Sequence, residues 1–186
     1  MAARTWTGLI DGDVTNVENY DVLEPPSAPS GTDTLTIPTG CDNYPETGVY
    51  PATGAVTIDS NGEIKGGTAW PATTSNGTIT GGTFSGAVTN PGVINGGIFK
   101  STVHNDGAIS GGTFEGAVAA HGAGSAITGG YFLGAITYTA GTLVTGSAST
   151  VIAAAADVRN GTGCWTGATG ANVGTLGHAN PYILIP

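Results

Sequence analysis

Between Ile64 and Ile127 the chain repeats one short phrase five times: I-x-G-G-x-F-x-x-x-V, then a polar turn. Its isoleucines are Ile64, Ile79, Ile94, Ile109 and Ile127, so the step is fifteen residues three times and then eighteen. A glycine pair follows each one, from Gly66-Gly67 to Gly129-Gly130. A unit this short cannot bury its own apolar side and must stack on its neighbours, which is the mark of a solenoid. The predicted core is Ile79, Phe84, Val88, Ile94, Phe99, Val103, Ile109, Phe114, Val118, Ile127, Phe132 and Ile136. Within a unit these residues are separated by five, four and six positions, which suits a roughly triangular coil with one inward side chain per side. The expected fold is therefore all-β. It is a short parallel β-solenoid of about fifteen residues per coil, with a non-repeat N-terminal β module and a C-terminal cap.

Other positions of the repeat have their own expected places. The glycine pair should supply a positive φ or a close backbone approach at a corner. Asn90 and Asn105, one repeat apart, should stack as a ladder at another corner, where Asn tolerates the left-handed region. Thr80, Asn95, Ser110 and Thr128 should form an outward polar row. The longer step contains Ala119 to Ser125, read as three extra residues bulging from a corner.

Three stretches follow from the pattern: an N-terminal attachment module over 1–62, the solenoid over 63–141, and a cap or oligomerisation segment over 142–186. In the first, Thr34 to Ile37 alternates polar and apolar and should be a strand stopped by Pro38. Ala55 to Ile58 should be another, ending at the Asn61-Gly62 turn. Pro25, Pro26 and Pro29 make the stretch from Asp21 to Gly31 an extended loop. In the last, Ser149 to Val158 is alanine-rich and could be helix by propensity, but a solenoid context favours strand. Tyr182-Ile183-Leu184-Ile185 reads as an apolar strand that something must cover. Fixing glycine-rich coils is entropically costly and their open ends are exposed edges, so capping modules and a homo-oligomer, a trimer first of all, are expected.

Composition narrows the partners. Glycine at 33 of 186 residues far exceeds the usual ~7%, and 9% charged residues fall far below the usual ~25%. A net charge of −9, with only Arg4, Lys65, Lys100 and Arg159 as cations, argues against nucleic acid or an anionic membrane as partner. Ten of the thirteen acidic residues lie at or before Glu63, so an acidic head precedes a nearly uncharged repeat. No apolar run of signal or membrane-spanning length is visible, so neither a secretory signal nor an anchor is expected. Cys41 and Cys164, 123 residues apart, are read as buried free thiols ahead of a disulfide.

Reactive constellations are not written in the chain. His104, His121 and His178 lack metal-ligand spacing, and the Asp11-Gly12-Asp13-Val14-Thr15-Asn16 stretch lacks the remaining ligands of a calcium loop. Asp106 and Glu115 should fall on different sides of the coil, which leaves a polysaccharide lyase or hydrolase without a carboxylate pair. An ice-binding face would need a regular threonine file, but Ile98 and Tyr131 interrupt the one formed by Thr68, Thr83 and Thr113. The Asn76 and Asn160 sequons read as turns. No catalytic residue, cofactor or metal site is expected.

The string from Gly77 to Gly92, GTITGGTFSGAVTNPG, resembles repeats in phage virion proteins and bacterial surface adhesins. The opening Thr5-Trp6-Thr7-Gly8, Asp11-Gly12-Asp13, Glu18-Asn19-Tyr20 and Gly31 to Pro38 is similar to a pattern in the same classes, departing from it at Val14 and Tyr20. The resemblance covers about 110 residues. It implies a non-enzymatic phage virion structural protein of capsid-decoration or head-fibre type, made in the host cytoplasm and sited on the virion surface. Its partners would be itself, the major capsid protein or another virion protein. Trp6, Asp11 and Asp13 at one end, and Tyr182, Ile183, Leu184 and Ile185 at the other, are the candidate interface. The alternative is a tail-fibre or adhesin-like module gripping a host-surface glycan, with Trp70, Tyr131 and Tyr138 as stacking platforms.

Overall fold

The computed structural model describes residues 2–21, 29–120, 122, 124–134 and 136–138, and beyond these the strand segments 142–143, 150–152, 158–160 and 183–185. It is all-β: three parallel walls wind into a solenoid of about five regular turns, about fifteen residues per coil. The only helical turn among the described residues is the short 3-10 segment Val17–Asn19.

Register follows the repeat. One wall stacks Ile79, Ile94, Ile109 and Ile127 in file. A second stacks Phe84, Phe99, Phe114 and Phe132. The third and longest stacks Val88, Val103, Val118 and Ile136. All twelve are at most 1% exposed, so each coil closes around a dry interior. Ile127 stays in register with Ile109, so the three extra residues of the longer step leave the ladder intact. His121 and Ala123 of that step lie outside the described residues, and Ser125 closes it by donating to the Gly122 carbonyl at 2.9 Å.

The two glycines of each pair do different jobs. Gly97 has φ +105°, a backbone that L side chains rarely adopt. Gly96 has no such φ, but a Cβ there would stand 2.3 Å from the Thr80 carbonyl oxygen of the coil before. Both expected uses of the pair are therefore realised, one at each residue.

The aromatic file runs beyond the repeat. Phe84, Phe99, Phe114 and Phe132 stack with centroids 4.9, 4.8 and 4.7 Å apart. Trp70 lies 6.3 Å from Phe84, and Tyr50 lies 5.0 Å from Trp70. Such near-parallel pairs add about 0.5–1.5 kcal/mol each beyond their burial. Trp70 enters the file because Ala69 is an inserted residue with φ +62°, which swings the next side chain inward. The segment from Trp70 to Thr73 is then one residue shorter than that from Phe84 to Val88, and Thr73 pairs with Val88 in register.

The long wall differs from the sequence reading. It turns two residues per coil inward, not one: Val88 and Asn90, Val103 and Asn105. The asparagines do form a ladder, with Asn90 Nδ2 donating to Asn105 Oδ1 at 2.7 Å and Asn105 Nδ2 to the Gly107 carbonyl at 2.9 Å. They sit in extended strands inside the coil, however, not in left-handed corners. The only non-glycine residues with positive φ among the described ones are Asn61 and Ala69. A three-residue strand points its first and third side chains the same way, and that places the amides in the core.

The residues before 62 continue the same wall. Its nine strands run in the order Ala3–Thr5, Thr34–Ile37, Val56–Ile58, Thr73–Ser75 and onward to Val158–Asn160, all parallel. At ~4.8 Å per step this is a ladder of roughly 38 Å. Thr34–Ile37 is a strand as expected, and so is Val56–Ile58 before the turn at Asn61. Most of the proline loop, residues 22–28, lies outside the described residues.

At each end antiparallel chain meets one wall of the solenoid. At the start, Asp21 N–H donates to the Thr5 carbonyl at 2.8 Å, Thr7 N–H donates to the Asn19 carbonyl at 2.7 Å, and Trp6 and Tyr20 form an antiparallel bridge. At the far end, Ile183–Ile185 pairs antiparallel with Thr150–Ile152 on the aromatic wall. The alanine-rich stretch contributes the strands Thr150–Ile152 and Val158–Asn160, while 153–157 lies outside the described residues. On the walls it meets, antiparallel chain pairs backbone groups that an open edge would leave free.

Candidate functional site

The N-terminal end of the solenoid carries the most elaborate polar construction. Its organiser is Asn19, fully buried. The Asn19 side-chain oxygen accepts from the N–H groups of Ile10 (3.1 Å) and Asp11 (3.2 Å). Its Nδ2 donates to Asp11 Oδ1 at 2.6 Å and to the Asp13 carbonyl at 3.0 Å. Asp11 also accepts from Asp13 N–H at 2.9 Å and from Asn16 Nδ2 at 3.1 Å. These donors, the Asp13 amide first, hold the Asp11 carboxyl below the usual carboxylate value of 3.8. Asp13 Oδ1 accepts from both the N–H and the hydroxyl of Thr15 at 2.8 Å. The Asp-Gly-Asp stretch is thus a hydrogen-bonded loop wired to a buried amide.

What this loop presents is apolar. Leu9 is 64% exposed and Ile10 is 55% exposed, with Val17 also on the surface. The loop packs on the strip from Asn43 to Gly48. Asn43 Nδ2 donates to the Gly8 carbonyl at 2.9 Å, Glu46 N–H to the Gly12 carbonyl at 2.8 Å, and Val14 N–H to the Thr47 carbonyl at 3.0 Å. Glu46 and Asp42 are exposed beside it.

Trp6, placed at the interface by the sequence reading, is not on the surface. It is fully buried, packs edge-on against Tyr20 at 5.2 Å and donates from Nε1 to the Asn43 carbonyl at 2.8 Å. Its role is to join the first strand to the head loop. Trp70, read as a glycan platform, is likewise fully buried, with its Nε1 bound to the Gly66 carbonyl at 2.9 Å. Tyr131 is 41% exposed on the aromatic wall. Of the C-terminal candidates, Ile183, Leu184 and Ile185 form the closing strand, and Tyr182 lies outside the described residues. His178 and Cys164 also lie outside them, as does the side chain of Tyr138.

The outer faces of the walls are poor in charge. Ser110 donates to Asn95 Oδ1 at 2.6 Å, and Thr80 donates to Glu63 at 2.8 Å, so the predicted polar row is partly bonded to itself. On the long wall a file the sequence reading missed stacks Thr5, Thr36, Thr57, Thr74 and Thr89 in register, followed by His104. Its members are 31, 21, 17 and 15 residues apart, so no period announces them. The file through Thr83, Ile98, Thr113 and Tyr131 is interrupted as expected.

Asp106 follows a long-wall strand and Glu115 an aromatic-wall strand, both exposed and on different sides of the coil. Among the described residues no three His, Cys, Asp or Glu side chains converge to hold a metal ion, and no helix is long and apolar enough to cross a membrane. Cys41 is a free, half-buried thiol, and burial raises its pKa. No family model, curated protein or solved structure matches the chain.

Proposed function

We propose that this chain is a non-enzymatic structural component of a tailed-phage virion, a capsid decoration or head-fibre protein that stabilises or projects from the capsid surface as a homotrimer. The observation that carries the reading is the construction of the molecule. A continuous parallel ladder, met by antiparallel chain on one wall at each end and filled by stacked apolar side chains, makes a stiff spacer. Its walls are nearly uncharged, while its acidic residues gather at one end. The resemblance of the repeat and of the opening motifs to virion proteins points the same way. The glycan-binding alternative loses Trp70 to the core and keeps Tyr131, exposed on the aromatic wall, while the Tyr138 side chain lies outside the described residues.

The test is localisation. Antibody or tag labelling of this polypeptide in images of intact particles should place it on the head, and it should co-sediment with purified capsids. Recovery only in the unassembled fraction would overturn the reading.

A further inference from the structure

The loop at the N-terminal tip holds two large apolar side chains out in water, and holds them still. Asn19 anchors the backbone at Ile10 and Asp11 from inside, and Asn43 fixes Gly8 on the other side of Leu9. A flexible loop would fold such residues back onto the protein, but here the hydrogen bonds forbid it. Leu9, at 64%, is the most exposed large apolar side chain among the described residues. Around this tip stand Asp11, Asp13, Glu18, Asp42 and Glu46, none of which pairs with a cation among the described residues. Lys65 of the next coil is turned over the Tyr44 ring with its nitrogen 5.9 Å from the centroid. Geometry puts the tip at the end of the ladder. The loop bonds to the strip from Asn43 to Gly48 on its inner side, and that strip in turn bonds to Lys65 and Thr68 of the next coil.

We infer that the N-terminal tip is the docking end, with Leu9 and Ile10 inserting into an apolar pocket of a protein partner whose rim carries Lys or Arg to meet the exposed carboxylates of Glu18, Asp42 and Glu46. A preordered apolar anchor within a charged rim loses little conformational freedom on binding, and the charges steer the approach. The partner class, a capsid surface, rests on the function proposed above. The choice of end and the chemistry of the pocket rest on the tip alone.

The experiment uses the full chain and capsids of the encoding phage grown without it. Wild type, Leu9→Asp/Ile10→Asp, Asp42→Lys/Glu46→Lys and Val93→Asp/Ile98→Asp are compared for capsid retention, after matching circular dichroism and melting have been checked. The tip variant should lose more than about tenfold in affinity. The charge variant should lose less and flatten the salt dependence, and the wall variant should bind as wild type. Equal binding by the tip variant overturns this inference and leaves the virion role standing, as does loss confined to the wall variant. Failure of wild type itself to bind removes the virion role and the docking end together.

Discussion

The regular coils and the N-terminal head are parts of one ladder but are specified in opposite ways. In the coils every inward residue meets a near copy of itself, so register is set by matching Ile on Ile, Phe on Phe and Val on Val. A one-residue slip would turn each file outward, and the penalty recurs in every coil. In the head nothing repeats. Trp6, Tyr20, Asn19 and Asn43 each make a unique contact, and register comes from directed hydrogen bonds. Damage to the coils should therefore act on the backbone spacing of the whole ladder, while damage to the head should act on a local network.

The glycines offer the largest test of that difference. Gly96→Ala would put a methyl 2.3 Å from the Thr80 carbonyl oxygen, a backbone atom that cannot yield without parting two coils. We expect a loss of about 4 kcal/mol or more, at the upper end of single-residue effects. In the head, Gly40→Ala meets nothing within 4 Å and suffers only its φ of +77°, about 1–2 kcal/mol. Urea midpoints of the two variants check this. Equal losses would mean that crowding between coils is not what the first glycine of each pair relieves.

A smaller effect is expected from the head's own organiser. Asn19→Ala strips the acceptor from the Ile10 and Asp11 amides and a donor from Asp11, costing about 1–3 kcal/mol. Hydrogen exchange should rise over Gly8 to Val14 while the coils from Ile79 onward stay protected. Deprotection spreading through the coils would show head and repeat to be a single cooperative unit.

The same contrast explains what could be read from the sequence. Identity between units is visible in one dimension, so the coils, their three inward files and the glycine corners were legible before any coordinates. The head's contribution to the long wall was not, because Arg4, Leu35 and Val56 share a register across loops of unequal length. Trp70 was misread for a related reason: an inserted Ala69 at positive φ hides its equivalence to Phe84. The compensating shortening before Thr73 was the available signal. The asparagine ladder was placed at a corner because Asn usually turns chains. The alternation Val-x-Asn within one strand was the clue that it faces inward. At the N-terminal tip the acids are legible in the sequence and the apolar pair is not, because exposure of Leu9 and Ile10 depends on where Asn19 holds the backbone.

The smallest expected effect separates two buried phenols of the head. The Tyr20 hydroxyl donates to the Val14 carbonyl at 2.7 Å, whereas the Tyr50 hydroxyl is buried with no hydrogen-bond partner among the described residues. At neutral pH Tyr20→Phe should lose about 1 kcal/mol, and Tyr50→Phe should lose nothing or gain up to about 1 kcal/mol, since it removes an unmet hydroxyl. Alkali sharpens the comparison. Burial pushes both phenols above their usual 10.0, so the folded chain keeps protons that the unfolded chain releases. Their contribution to stability is whole below pH 10 and is lost as pH climbs from there through the raised folded values. Tyr50→Phe should then remove about half of the decline in unfolding free energy above pH 10. Parallel decline in wild type and variant would mean that Tyr50 gives up its proton as easily folded as unfolded, and that the aromatic file is open to water at its first ring.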